Sequence, residues 1–144
     1  MTPPGIQDVL AALNLLRGLG ARVEVVAVQS AASPAAHDSW HAREILTRPN
    51  RTRAEGLAVG TGFALTQQVL RERLTDFLLV TDDDITRAQR LYLTAARTVA
   101  EGAGAAALAA VLAHPARFAG RRMGVVCSGG NASEAELVRA LDGA

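Results

Sequence analysis

The sequence predicts an α/β fold, a three-layer sandwich in which a mostly parallel sheet is flanked by helices. Short β-branched or apolar runs alternate with longer helical stretches, in the order helix, strand, helix, helix, strand, helix, helix, strand, helix. Strands separated by helices need crossover connections, and these favour parallel pairing with helices on both faces. The chain has 144 residues, 49% of them hydrophobic and 20% charged. That is enough to bury one core, so a single domain over residues 1–144 is expected. No internal period repeats, which excludes a solenoid.

Each element has a local reason. Pro3, Pro4 and Gly5 precede Ile6, Val9, Leu10, Leu13, Leu16 and Leu19, which follow helical spacing. Gly18 and Gly20 offer the stop. Val23 to Val28 is short and β-branched, and reads as the first strand. Ser33-Pro34 sets a cap and a first-turn proline for a helix to Leu46. Residues Thr47 to Glu55, with Pro49, Asn50 and three arginines, read as a loop. Gly56 to Gly62 is a glycine-spaced turn before a helix whose apolar set is Phe63, Leu65, Val69 and Leu70.

Phe77 to Val80 is the second strand. Thr81 caps the next helix, with Asp82, Asp83 and Asp84 at the positive end of its dipole. Ile85, Ala88, Leu91, Tyr92, Ala95, Ala96 and Val99 form the expected buried face. Glu101 to Gly104 breaks that helix, and Ala105 to Ala113 starts another so poor in polar residues that it must be buried nearly all round. Met123 to Cys127 is the expected third strand, and Ser128 to Asn131 a tight loop. Ser133 and Glu136 make a capping box for the last helix.

Composition excludes several classes. No apolar run reaches the roughly 18 residues of a membrane span. Met1-Thr2-Pro3-Pro4 lacks the pattern of a secretory signal, so a cytoplasmic location is expected. A net charge of +1 gives no electrostatic argument for nucleic acid. The single cysteine, Cys127, excludes an internal disulfide and a cysteine-built zinc site. All 15 basic residues are arginine. With no lysine, no Schiff base can form on a lysine amine of this chain.

In a parallel α/β sheet, ligands bind beyond the carboxyl ends of the strands. That rule points to Ser128, Gly129, Gly130 and Asn131, where glycines let backbone approach a ligand and Ser128 offers a hydroxyl. On spacing alone, an ordinary strand-to-helix turn explains the same residues.

A second segment changes the weighing. Glu101-Gly102-Ala103-Gly104-Ala105 followed by Ser128-Gly129-Gly130-Asn131 resembles the C-terminal half of the threonine/serine dehydratase family. Those are fold type II pyridoxal-phosphate enzymes, to which serine racemase is related. Ala54-Glu55-Gly56-Leu57 resembles the family's Ala-Asp-Gly turn, and Leu79 to Ile85 its strand running into an acidic helix start. The four blocks share the family's order.

The resemblance implies pyridoxal 5'-phosphate as cofactor and a partial fold type II architecture. Ser128 would meet the pyridine nitrogen, with Gly129 and Gly130 beside it. A hydroxyl does not hold that nitrogen protonated, which suits β-elimination. Glu101 would sit beside the ring, and Gly56 would line it by backbone. A helix-terminating carboxylate held by backbone amides is the other reading of Glu101. The reaction implied for the whole enzyme removes the Cα proton and β-hydroxyl of threonine or serine, giving a 2-oxo acid and ammonia.

Departures from the family are equally informative. The family's cofactor lysine lies in an N-terminal half with no counterpart here, so no catalytic residue is assigned. Pro3 and Pro4, where the family has its phosphate loop, have no N–H to donate. Gln29 replaces a metal-binding glutamate of some relatives, so no metal site is assigned. The sequence lacks a regulatory domain, which favours the shorter catabolic type. Expected partners are an amino-acid substrate, an N-terminal half or a second copy, without nucleic acid or membrane. A non-catalytic truncated paralogue that binds another subunit is the alternative, and a free-standing binding module for a small phosphorylated ligand is a third reading.

Three further groups need weighing. His37 and His41 have metal-pair spacing but no third ligand, so a solvated helix face is expected. Arg48, Arg51 and Arg53 have anion-binding chemistry, but without interleaved aromatics a solvated loop is expected. Cys127, at a strand end, is expected to be buried and inert.

Overall fold

A computed structural model describes residues 14–142 apart from Arg17. The expected contributions of Pro3, Pro4, Gly5, Ile6, Val9, Leu10 and Leu13 lie outside the described residues. Residues 14–16 are helical, and Gly20 takes φ +77°, so the glycine stop falls where expected.

Two strands, β1 (Val26–Ser30) and β2 (Asp76–Val80), pair in parallel with Val26 opposite Asp76 and Ser30 opposite Val80. The helices are α1 (Ala35–Ala42), α2 (Ala64–Arg73), α3 (Asp82–Thr94), α4 (Gly102–Ala113), α5 (Pro115–Phe118) and α6 (Glu134–Asp142), with a 3-10 turn at Glu55–Leu57. Side chains alternate across a strand, which sorts the layers. Val28, Leu78 and Val80 pack with Ile85 and Ala88 of α3 and with Ala105 and Ala109 of α4. Phe77 turns the other way, its ring 5.6 Å from that of His37 and 6.3 Å from that of Trp40 on α1. The α2 helix completes that layer, with Gln67 Nε2 donating to the Ala36 carbonyl at 2.9 Å.

The core is built of small residues. Ala105, Ala106, Ala109 and Ala110 are all buried, as expected for so apolar a helix. However, α4 begins at Gly102 rather than Ala105. A Cβ on Gly102 would lie 2.9 Å from Ala54 Cβ, and one on Gly104 would lie 2.4 Å from the Gly129 carbonyl oxygen. The glycines are there for close packing in the first helical turn, not to break the helix.

Other expectations are corrected. The β1 strand starts three residues later than Val23. The α1 helix stops at Ala42 because Arg43 takes the left-handed conformation (φ 59°) and the chain folds back, Ser39 Oγ accepting from the Leu46 amide at 2.9 Å. Ser33 does not cap α1. Its buried hydroxyl donates to the Val59 carbonyl at 3.0 Å. Phe63 and Leu65 are exposed, and Gln67 is the buried residue of α2, since the Ala36 carbonyl satisfies its amide nitrogen. The α3 helix ends at Thr94, so Ala95, Ala96 and Val99 lie beyond it and are exposed, as is Leu91 on its surface. Thr86 and Gln89 take their place in the interior, bonded to the carbonyls of Asp82 and Ala100.

Met123 to Cys127 is not a strand. A strand needs a hydrogen-bonded neighbour, and among the described residues this segment makes no ladder with β1 or β2. Val125 and Val126 are accordingly exposed, and so is Cys127. The short α5 helix, opened by Pro115 at its first turn, has no counterpart among the expected elements.

Candidate functional site

The start of α4 is where the candidate residues meet. Glu101 is its N-cap residue in extended conformation, and its amide donates to the Gly129 carbonyl at 3.1 Å. Its carboxylate makes no capping hydrogen bond, which removes the reading of a carboxylate held by backbone amides. The carboxylate instead lies over Gly129. A Cβ at Gly129 would come within 1.9 Å of Glu101 Oε1. Gly130 packs against the Val99 carbonyl, 3.0 Å from where its Cβ would be. Gly56, in the 3-10 turn, approaches from the other side, 2.7 Å from Ala103 Cβ by the same measure.

The structure therefore gathers Gly56, Glu101, Gly129 and Gly130 around one helix start. Ser128 adjoins Gly129 and is exposed, and its hydroxyl makes no hydrogen bond among the described residues. The Ser128 to Asn131 segment has no regular structure and forms no assigned turn, and the Glu101 amide anchors it at the Gly129 carbonyl.

Two carboxylates hold these segments, and sequence reasoning gives them smaller roles. Asp82, at the first position of α3, accepts from Ser30 Oγ at 2.6 Å, Thr52 Oγ1 at 2.7 Å and the Arg53 amide at 2.7 Å. It ties the end of β1 to the loop that carries Gly56. Burial pushes its carboxyl up, but the hydrogen bonds from Ser30, the Arg53 amide and Thr52, with the Arg53 charge, hold it below the ordinary carboxylate range. Glu136 completes the expected capping box with Ser133, whose amide donates to Oε2 at 2.9 Å. Its Oε1 also accepts from the Gly102 amide at 3.0 Å and Gln89 Nε2 at 3.4 Å. Burial raises this carboxyl too, and the Ser133 and Gly102 amides outweigh it, leaving it lowered. The run of three aspartates hides which one reaches across the fold. The capping box accounts for Glu136 without its second oxygen.

The remaining groups are structural in part. His37 bonds Asp38 at 2.9 Å, and Arg48 reaches the same carboxylate at 2.6 Å. The His37 and His41 rings pack 4.4 Å apart, with Trp40 and Phe77 around them, so this helix face is not simply solvated. Arg53 pairs with Asp83 at 2.7 Å. Tyr92 Oη is buried without a hydrogen-bond partner among the described residues. Burial, then the neighbouring Cys127, pushes that phenol up.

These contacts place glycine backbone against one helix start of a parallel α/β layer. Residues 9–129 match the family model described as pyridoxal-phosphate dependent enzyme, and the chain belongs to that family. It is 34% identical over 98 residues to the catabolic L-threonine dehydratase TdcB of Escherichia coli (strain K12), covering 67% of this chain and 30% of that protein. It is 30% identical over 133 residues to an L-threonine ammonia-lyase of Geobacter sulfurreducens, covering 91% of this chain and 33% of that protein. Among solved structures, a threonine deaminase from T.th. superposes with a TM-score of 0.71 at 34% identity, over 82% of this chain and 40% of that one. The chain thus spans about a third of the length of the curated relatives it matches.

The family's cofactor is pyridoxal phosphate. The exposed Ser128 hydroxyl, unbonded among the described residues, suits a ring nitrogen, while the Glu101 carboxylate lies over Gly129 and the Val99 carbonyl beside Gly130. The covalent anchor has no counterpart, since the sequence has no lysine.

Proposed function

We propose that this chain is the ring-side portion of a pyridoxal-phosphate-dependent dehydratase acting on threonine or serine. The convergence of Gly56, Glu101 and Gly129 on the start of α4 carries the reading. Ser128 would donate to the unprotonated ring nitrogen, and Glu101 would border the ring. The cofactor, when bound, supplies the electron sink for loss of the β-hydroxyl. Residues 1–144 form one domain of that assembly, and the protein works in the cytoplasm. Among the described residues no helix is long and apolar enough to cross a membrane.

The chain alone does not complete the reaction, because no lysine is present to anchor the cofactor or take the Cα proton. The test is 2-oxo acid formation from threonine or serine with pyridoxal phosphate. We expect none from the purified chain, and turnover once an N-terminal polypeptide bearing the lysine is added. Deamination by the chain alone refutes the reading.

A second reading is favoured by exposed apolar residues. Met123, Val125, Val126, Val138 and Leu141 are all more than 40% exposed. A non-catalytic paralogue that docks on another subunit would cover them. Binding to a full-length subunit without any gain in deamination supports that alternative.

A further inference from the structure

On the far side of the sheet from the ring-side residues, α1 and α2 border a cleft of about 210 Å³ lined by Trp40, His41, Arg43 and Arg71. Two arginines line it, and neither makes an ion pair among the described residues. Arg71 is held in place by its bond to the Ser39 carbonyl at 3.2 Å. Trp40 and His41 form its aromatic wall. The Trp40 and His41 rings meet edge to face at 4.7 Å, and His41 Nε2 lies 3.5 Å from the Phe77 carbonyl oxygen.

Arg43 adds a separate observation. It takes φ 59° just past the end of α1. Glycine is the ordinary residue there, because it alone adopts that conformation without steric cost. The chain places an arginine in this position, beside a cleft that already holds Arg71.

We propose that this cleft binds a small planar anion, an aromatic carboxylate. The two guanidiniums would take the carboxylate through charge-assisted hydrogen bonds, and the ring would lie against Trp40. This inference is independent of the cofactor reading, since none of its residues belongs to the ring-side group.

Trp40 is the chain's single tryptophan, so its fluorescence reports on the site directly. Benzoate titrated into the full 144-residue chain should quench Trp40 saturably. Arg71→Gln should weaken that binding about tenfold or more, about 1.4 kcal/mol. Arg43→Gly should weaken it similarly while relieving the backbone, so it tests the site even if Arg71→Gln fails to fold. Absence of saturable quenching at millimolar benzoate overturns the proposal. Unchanged affinity in Arg43→Gly overturns it as well. Inorganic phosphate that quenches and binds as well as benzoate overturns the aromatic class.

Discussion

Replacing Asp82 with alanine is the most telling perturbation of this fold. Its carboxylate holds three donors from two segments far apart in sequence. The Ser30 hydroxyl is fully buried, and stranding it costs about 1–3 kcal/mol. Thr52 and the Arg53 amide lie nearer solvent, so water replaces Asp82 there and each loses about 1 kcal/mol. The charge at the start of α3 adds about 0.3–1 kcal/mol. The sum is about 3–6 kcal/mol, which lowers Tm by roughly 10–20 °C in a chain of this size. Asp83→Ala is the matched control. Asp83 shares the first-turn position and makes only an exposed pair with Arg53, so its loss should cost about 0.3–2 kcal/mol. Urea unfolding followed by circular dichroism at neutral pH measures both. If Asp82→Ala costs no more than Asp83→Ala, Asp82 does not hold the Gly56 loop.

Gly104→Ala should cost about 1–3 kcal/mol, because the new Cβ meets the Gly129 backbone, which cannot swing away. Gly129→Ala meets only the Glu101 side chain, so thermal unfolding should find it the milder of the two. Ser128→Ala should leave stability within about 0.5 kcal/mol, since its exposed hydroxyl bonds nothing in the described fold. If Ser128 meets the ring, the same variant should weaken pyridoxal phosphate binding several-fold by equilibrium dialysis. Asp38, Asp82, Asp84 and Glu136 all have lowered carboxyl pKa values in the fold. Their stabilisation is fully present above the unfolded-state values near pH 4 and is lost as pH falls through the lower folded values. Denaturation midpoints should therefore drop steeply below pH 4, and the gap between wild type and Asp82→Ala should close there.

The α/β layering is legible because strand and helix periodicities differ and leave separate marks. Thr81 and Ser133 announce their helices through capping chemistry that operates within four residues. The glycines of α4 look like helix breakers because their reason lies in Ala54 and Gly129, distant in sequence. Met123 to Cys127 has the composition of a strand, yet composition cannot supply the neighbouring strand that pairing needs. The expected burial of Cys127 depends on that strand and fails with it. Arg43 cannot be anticipated, because an arginine is no signal for a left-handed turn. Of the candidate site, Gly56, Glu101, Gly129 and Gly130 are found by resemblance and then meet in space. Asp82 and the second role of Glu136 need the fold.

The placement of Asp82 and Glu136 bears on what this chain retains without a lysine-bearing partner. Asp82 fixes the loop leading to Gly56 against β1. Glu136 fixes the first amide of α4 against α6. The α4 helix sits between these two attachments, so the spacing between Gly56 and Gly129 is set by bonds within this chain. On the proposed reading, ring-side geometry and covalent chemistry are separable, the first held by two carboxylates and close glycine contacts, the second dependent on an amine this sequence lacks. Supplying that amine in trans should therefore restore turnover without refolding the ring side, and amide hydrogen exchange at Gly102, bonded to Glu136, should be slow before and after the addition. Fast exchange at Gly102 in the isolated chain would show that the ring side forms only on assembly.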